Sequence, residues 1–598
     1  MFLRATNRVK DGKEHRYWSV VENRRLNKKK TVQKTLLYLG EINDTQQAAW
    51  CKSIDVVEGK QGRTLNLFPD DRRVPEEIEG GIQVRMNQLE LHHPRQWGAC
   101  WLACELWHQL ELDSFWSEKL GASRKGTDWK NVLQTLVCYQ LIEPGSEWRL
   151  HRLWFDRSAM ADLLDEDFSV VQKNTLYRCL DKLLAYKKDL FSHLRLRWES
   201  LFNARFDVLL YDLTSTYFES IPPFEGKRQF GYSRDKRFDC VQVVIALVVT
   251  PQGFPLAYEV MPGNTSDKTT LPGFLKKIED QYGQADRVWV MDRGIPTEEV
   301  LSQMRSSSVP MHYLVGTPKG RLNQLEKDFL KLPWAKVRDA VHVKLLPQEG
   351  EFYVLAKSDG RIQKERAMRR RQLKKLWSRL KELQKQKLTR DQLLLKIGAA
   401  KKEAGRTYSL VQINLPENKE KEVSPIFTFS VRREKLRKVR RREGHYLLRS
   451  NLCDEDPAIL WQRYIQLTQI EEAFKNLKSD LSIRPIFHQK EERIEAHIFV
   501  SFLAYCLQVT LKQRTQALAL GLTPRSVLEQ LACIQMIDVH MPTTDGRWLK
   551  MARYTQPEKA QQLLLNQLRL TLPKQPPPKI TTKKSEQNEV CGEDLSGF

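Results

Sequence analysis

The chain has 598 residues, too many for one hydrophobic core, and so points to three or four domains. Hydrophobic residues make up 41% and charged residues 29%, which excludes a mainly disordered chain. The 98 Lys and Arg against 74 Asp and Glu leave a formal charge of +24, a balance that favours a polyanionic partner through phosphate contacts and counterion release.

From the N-terminus, residues 14–40 read as a β-hairpin with a basic tip, Arg24-Arg25-Leu26-Asn27-Lys28-Lys29-Lys30. The N-terminal region, 1–95, is otherwise poorly patterned, and Met1 to Arg4 lack the apolar core of a signal peptide. Residues 96–200 read as helical and as a DNA-binding domain: Trp129, Val132, Leu133, Leu136 and Val137 recur at helical spacing. Cys100 and Cys104 have no partner set for zinc and read as one face of a buried helix. The ten cysteines are expected to be reduced thiols in a cytoplasmic protein.

Strands then dominate 201–318: Phe206 to Asp212, Cys240 to Val249, Pro255 to Val260, Arg287 to Asp292 and His312 to Gly316, with helices at Lys268 to Tyr282 and Thr297 to Met304. This order suits an α/β fold, a ribonuclease-H-like mixed sheet with flanking helices. The most apolar stretch, Val241 to Val249, is β-branched and stops before Pro251, and no apolar run approaches the roughly 20 residues that span a bilayer. Residues 319–455 interrupt the core as a large β/helical insertion. Within it, 361–405 carries sixteen Lys or Arg against four Asp or Glu, and Arg432 to Arg442 carries eight against one. Residues 456–545 resume the core with one long helix from about Ala458 to Leu481 and another from about Glu491 to Gln513. Residues 546–598 close the chain, with a tail around Pro576-Pro577-Pro578 that reads as disordered.

Phosphodiester chemistry needs little covalent help from a protein; two divalent ions about 4 Å apart clamp the attacking and leaving oxygens. Mg²⁺ prefers hard oxygen ligands, so carboxylates at strand ends are the groups to seek. Asp212 ends one apolar strand and is followed by Thr214, Ser215 and Thr216; Asp292 ends another, and Gly294 lets the chain turn away. On the later helix, Leu467, Ile470, Phe474, Leu477 and Leu481 form a buried stripe. Tyr464, Glu471 and Lys478, spaced by seven, form a second row along its side, placing Glu471 to complete a carboxylate trio.

These stretches resemble the transposases of bacterial insertion sequences with a DDE catalytic triad, in the subgroup marked by a Y-(2)-R-(3)-E-(6)-K signature. The resemblance rests on Tyr211 to Glu219, Gly231 to Arg237, Pro262 to Asp267, Val290 to Gly294, and Tyr464, Glu471 and Lys478 at the family's spacing. It implies that Asp212, Asp292 and Glu471 hold two Mg²⁺ or Mn²⁺ ions. Water would nick DNA at the element's ends, and the freed 3′-hydroxyl would attack target DNA in line. Tyr464 would help hold a displaced base or its phosphate, and Lys478 would contact the backbone. Arg234, Lys236 and Arg293 are further candidate phosphate contacts. The signature's Arg position is occupied by Leu467, with Arg463 and Lys475 as candidate substitutes. The partners implied are double-stranded DNA, at terminal inverted repeats and at the target, and a second copy of the chain on DNA, with the protein nucleoid-associated when bound and no membrane involved. A nuclease on the same fold and a decayed, non-catalytic DNA-binding repressor are the alternatives; no RNA-binding signature supports a third.

Overall fold

Apolar β-branched runs and amphipathic helices assemble around one large sheet in the computed structural model. It describes residues 1–10, 13–27, 30–57, 84–121, 126–219, 226–283, 285–292, 294–307, 309, 311–317, 319–338, 341–348, 350–415, 427–452, 456–484 and 486–581. The sheet has nine strands: β1 (Val208–Phe218), β2 (Val241–Val249), β3 (Pro255–Pro262), β4 (Arg287–Met291), β5 (Met311–Gly316), β6 (Ala335–Arg338), β7 (Val341–Gln348), β8 (Glu351–Ser358) and β9 (His445–Ser450). Their spatial order is β6-β7-β8-β9-β5-β4-β1-β2-β3. β4 runs parallel to both β1 and β5, and every other pair is antiparallel.

Every residue of β2 and β4 is buried, as expected for strands covered on both faces. Tyr211 on β1 faces the Asp267–Tyr282 helix: its hydroxyl bonds Thr270 at 2.8 Å and its ring packs on Phe274 at 5.3 Å. The opposite face lies under the helices Lys187–Phe202 and Glu491–Leu518, where Tyr258 of β3 packs on Phe191 and Phe502. The Glu491–Leu518 helix is long and apolar enough by composition to cross a membrane, against the expectation from the sequence, but its most apolar stretch is almost wholly buried inside the protein. Its buried polar residues include Lys512, whose ammonium reaches Gln469 and Glu472, as suits a core helix.

Around this core, several expectations change. The N-terminal hairpin is a three-stranded meander, Phe2–Lys10, Lys13–Asn27 and Lys30–Gly40; Lys28 and Lys29 of the basic tip lie outside the described residues. Cys100 and Cys104 are buried within the Gly98–Gln109 helix as expected. The strand-rich part of 319–455 does not stand apart: β6 to β9 extend the central sheet beyond β5. What does stand apart is a helical lobe, Asp359–Gln384 and Arg390–Ala404 with a small β-pair, around its own core of Leu376, Leu380, Leu383, Leu393, Ile397 and Phe427.

The C-terminal region is also more ordered than its composition suggests. Strands Gln535–Pro542, Trp548–Tyr554 and Lys579–Thr581 join Glu90–Gln96 in a four-stranded sheet. The Pro576 run, expected to be disordered, lies along it: Arg553 donates to the Pro576 carbonyl and Tyr554 to that of Pro573. Proline lacks an N–H but keeps a carbonyl acceptor, so an extended proline run can be tied down from one side. Residues 582–598 of the tail lie outside the described residues.

Candidate active site

Asp212 does not end its strand. β1 continues through Thr214, Ser215 and Thr216 to Phe218, paired with β2 throughout, because β-branched residues favour that ladder. It is β4 that ends, at Met291, opposite Tyr211. Asp212 and Asp292 are therefore the next residues along two parallel neighbours, at the point where β4 leaves the sheet. Asp212 is half-buried and Asp292 exposed. Gly294 takes φ +92°, the left-handed conformation that turns the chain away from the sheet, as the sequence implied. Arg293, between them, lies outside the described residues.

Successive residues of a strand face opposite sides. Tyr211 faces the Asp267–Tyr282 helix, so Asp212 points to the other face. The ladder agrees: Asp212 pairs with Leu247 and Leu247 with Tyr258, which packs under the Glu491–Leu518 helix. The segment bearing Glu471 is bound to that same helix. Lys512 Nζ donates to Gln469 Oε1 at 3.0 Å and pairs with Glu472 at 2.8 Å. The segment also packs directly on β1 and β2. Ile470, Ala473, Phe474, Leu477 and Leu481 are buried and Leu467 partly so, while Glu471 and Lys475 are exposed.

The long helix expected from Ala458 to Leu481 is broken. Pro457–Ile465 and Leu467–Lys475 are separate helices that meet at Gln466, and Asn476–Asp480 is a π-turn. A π-turn takes more residues per turn than an α-helix, so Tyr464, Glu471 and Lys478 do not form the straight row that the spacing of seven implied. Tyr464 packs beside Tyr446 and Trp461, with ring centroids 6.1 and 6.4 Å away. Register brings Asp212 and Asp292 together, and Glu471 stands on the adjoining helix. The three carboxylates do not form a cluster, among the described residues, in which all oxygen donors lie within 4.8 Å of one another.

Lys478 meets a carboxylate. Its ammonium, 11% exposed, lies 2.9 Å from Asp235, which also pairs with Arg484. Burial pushes the Lys478 ammonium below the usual lysine range, against the pull of Asp235. Asp235 is the residue that sequence reasoning missed, although a single acid among Arg234, Lys236 and Arg237 was the available signal. Arg234 is half-buried, its backbone N–H donating to Ser215 Oγ at 3.3 Å, and Lys236 is exposed. The loop is seated by glycines: a side chain on Gly231 would overlap the Gly263 carbonyl, and one on Gly263 the carbonyls of Gln229 and Gln242. The Gln242 amide donates to the carbonyls of Tyr232 and Gly263, closing this loop onto the start of β2.

Comparison with known proteins gives the same direction. The family model described as "Transposase DDE domain" matches residues 203–507, and that described as "IS1634 family transposase, N-terminal domain" matches residues 3–61. No curated protein matches the chain. Among solved structures, it is similar to the cryo-EM structure of the piggyBac transposase synaptic complex with hairpin DNA, at 10% identity over 74% of this chain and 82% of that one, with a TM-score of 0.34.

Proposed function

Because this chain belongs to the DDE transposases of insertion sequences, which bind DNA, cleave it and transfer its strands with divalent metal ions, we propose that Asp212, Asp292 and Glu471 are its catalytic carboxylates. The observation that supports the assignment is the Tyr211–Met291 pairing, from which Asp212 follows on β1 and Asp292 just beyond the end of the parallel β4, with the Glu471 helix packed on β1. Three carboxylates on rigid elements are a hard-oxygen donor set that fits Mg²⁺ or Mn²⁺. Asp212, Asp292 and Glu471 would hold the two ions between them. Bound there, the ions supply a clamp on the attacking and leaving oxygens of an in-line phosphoryl transfer.

The remaining residues act on the DNA backbone. Lys475, Lys236, Arg234 and Arg293 are the candidate phosphate contacts, on segments that adjoin the carboxylates in the sequence motifs. Lys478 is held by Asp235 in the free protein, and DNA phosphate takes over as its partner on binding. Tyr464 supports a displaced base or its phosphate. Leu467, where the subgroup signature has Arg, contributes packing instead, and Lys475 carries the cationic role.

In this reading β1 to β5, with the segments 201–318 and 456–545, form a ribonuclease-H-like core. Region 1–95 and the helical domain 96–200 bind DNA, 319–455 adds a basic insertion and 546–598 completes the C-terminal region. Two copies act on the paired ends of one element as a homodimer. The test uses labelled duplex carrying the flanking inverted repeat, a supercoiled target and Mg²⁺, with wild type beside Asp212→Ala, Asp292→Ala and Glu471→Ala. Ends joined to target by wild type, with binding but no cleavage in each variant, are the expected result. Cleavage that survives a carboxylate substitution would remove that residue from the site. Cleavage without joining would instead mark a nuclease, and binding without any chemistry a repressor.

A further inference from the structure

A second donor set lies away from these carboxylates. Glu147 begins the short Glu147–Arg149 helix in the helical region. His488 lies in the segment that follows the Glu471 helices, and His497 on the Glu491–Leu518 helix. His488 Nε2 is 2.9 Å and His497 Nδ1 3.2 Å from the same carboxylate oxygen, Glu147 Oε1. The three donor atoms all lie within 4.8 Å of one another. The Glu147, His488 and His497 side chains are only 11, 8 and 10% exposed. Tyr177 closes the site from outside, edge-on to His488 at 5.8 Å.

A carboxylate this deeply buried calls for a positive charge beside it. A metal ion held by all three side chains supplies that charge. Two imidazole nitrogens and one carboxylate oxygen are borderline donors that favour Zn²⁺ and similar first-row ions over Mg²⁺. Tetrahedral bonds of about 2.1 Å set donor atoms about 3.4 Å apart, so the two His–Glu separations need open by only a few tenths of an ångström.

We propose that Glu147, His488 and His497 bind one Zn²⁺-class ion, which staples the helical region to the chain that leaves the Glu471 helices. The fourth position is left to water. The ion is structural, distinct from those at Asp212, Asp292 and Glu471, and the assignment does not depend on theirs.

Co²⁺ is the probe. Full-length protein, stripped with chelator and held in excess Mg²⁺ to saturate hard-oxygen sites, is titrated while visible absorption is followed. One equivalent giving the intense bands of a low-coordinate nitrogen-ligated site, displaced by Zn²⁺, is expected. Glu147→Gln and His488→Gln should each weaken binding more than tenfold, with folding checked by circular dichroism. Should both variants fail to fold, X-ray absorption on the wild-type cobalt protein decides, with two imidazoles per ion expected. Absence of a Mg²⁺-resistant equivalent, bands that persist in folded His488→Gln, or oxygen-only coordination would overturn the assignment.

Discussion

Replacing Asp235 with Asn tests whether charge holds the loop before β2 to the turn that follows Glu471. Asp235 and Lys478 are each 11% exposed and Arg484 25%. Removing one partner of a mostly buried pair costs about 3–5 kcal/mol, because the other charge is left desolvated. Arg484 can turn to water, so the lower end, about 3 kcal/mol, is expected, which is roughly a hundredfold in a local opening equilibrium. Hydrogen exchange over peptides 226–240 and 476–484 reads that opening directly. Burial works to raise the Asp235 carboxyl, and the hydrogen bonds from Arg484 and Lys478 outweigh it, leaving it below the ordinary Asp value of 3.8. A depressed carboxyl contributes stability above its unfolded pKa and loses it as pH falls through the folded one. The gap between wild type and variant should therefore be full at pH 7 and narrow only below about pH 4. Lys478→Met added to Asp235→Asn should restore part of the loss, since the stranded ammonium is gone. Unchanged exchange in both peptides, or strictly additive effects in the double variant, would refute the reasoning.

Three further outcomes are expected. Changing Arg433, Arg437, Arg440 and Arg441 to Gln on the exposed helix Arg433–Arg441 should flatten the salt dependence of DNA binding by about 0.9 in log–log slope for each phosphate no longer neutralised; titration at several salt concentrations checks this, and an unchanged slope would take the helix off the DNA. Gly263→Ala should destabilise the site loop by about 1–3 kcal/mol, because the added methyl overlaps backbone carbonyls that cannot yield without shifting β2 or the loop; faster proteolysis between Lys227 and Cys240 is the readout. Leu380→Ala should loosen the helical lobe by about 2–5 kcal/mol while leaving amide exchange in β1 and β2 unchanged, because the lobe has a separate core.

The strands β1 to β5 were legible because each is a short apolar run bounded by turn residues, and their carboxylates stood out at the ends of such runs. The true end of β1 was not legible: Thr214, Ser215 and Thr216 are polar, and only pairing with β2 makes them strand. That β6 to β9 of the insertion extend the central sheet was not legible, since nothing local says which sheet a strand will join. The break at Gln466 and the π-turn at Asn476–Asp480 carry no proline or glycine to announce them. Long-range pairings were also beyond a reading by spacing, as with Asp235 and Lys478, 243 positions apart.

The helical lobe enters and leaves the sheet through adjacent strands. Lys357 of β8 faces His445 of β9, and Ser358 N–H donates to the Gly444 carbonyl at 3.0 Å. Topologically the whole lobe is the loop of one antiparallel hairpin, however large it has grown. Loop length adds little to closure entropy, so the sheet gains little from a short connection and is indifferent to what the hairpin carries. The lobe is thus a module that can be shortened to a turn or exchanged for another insertion, while β1 and β4 keep their register.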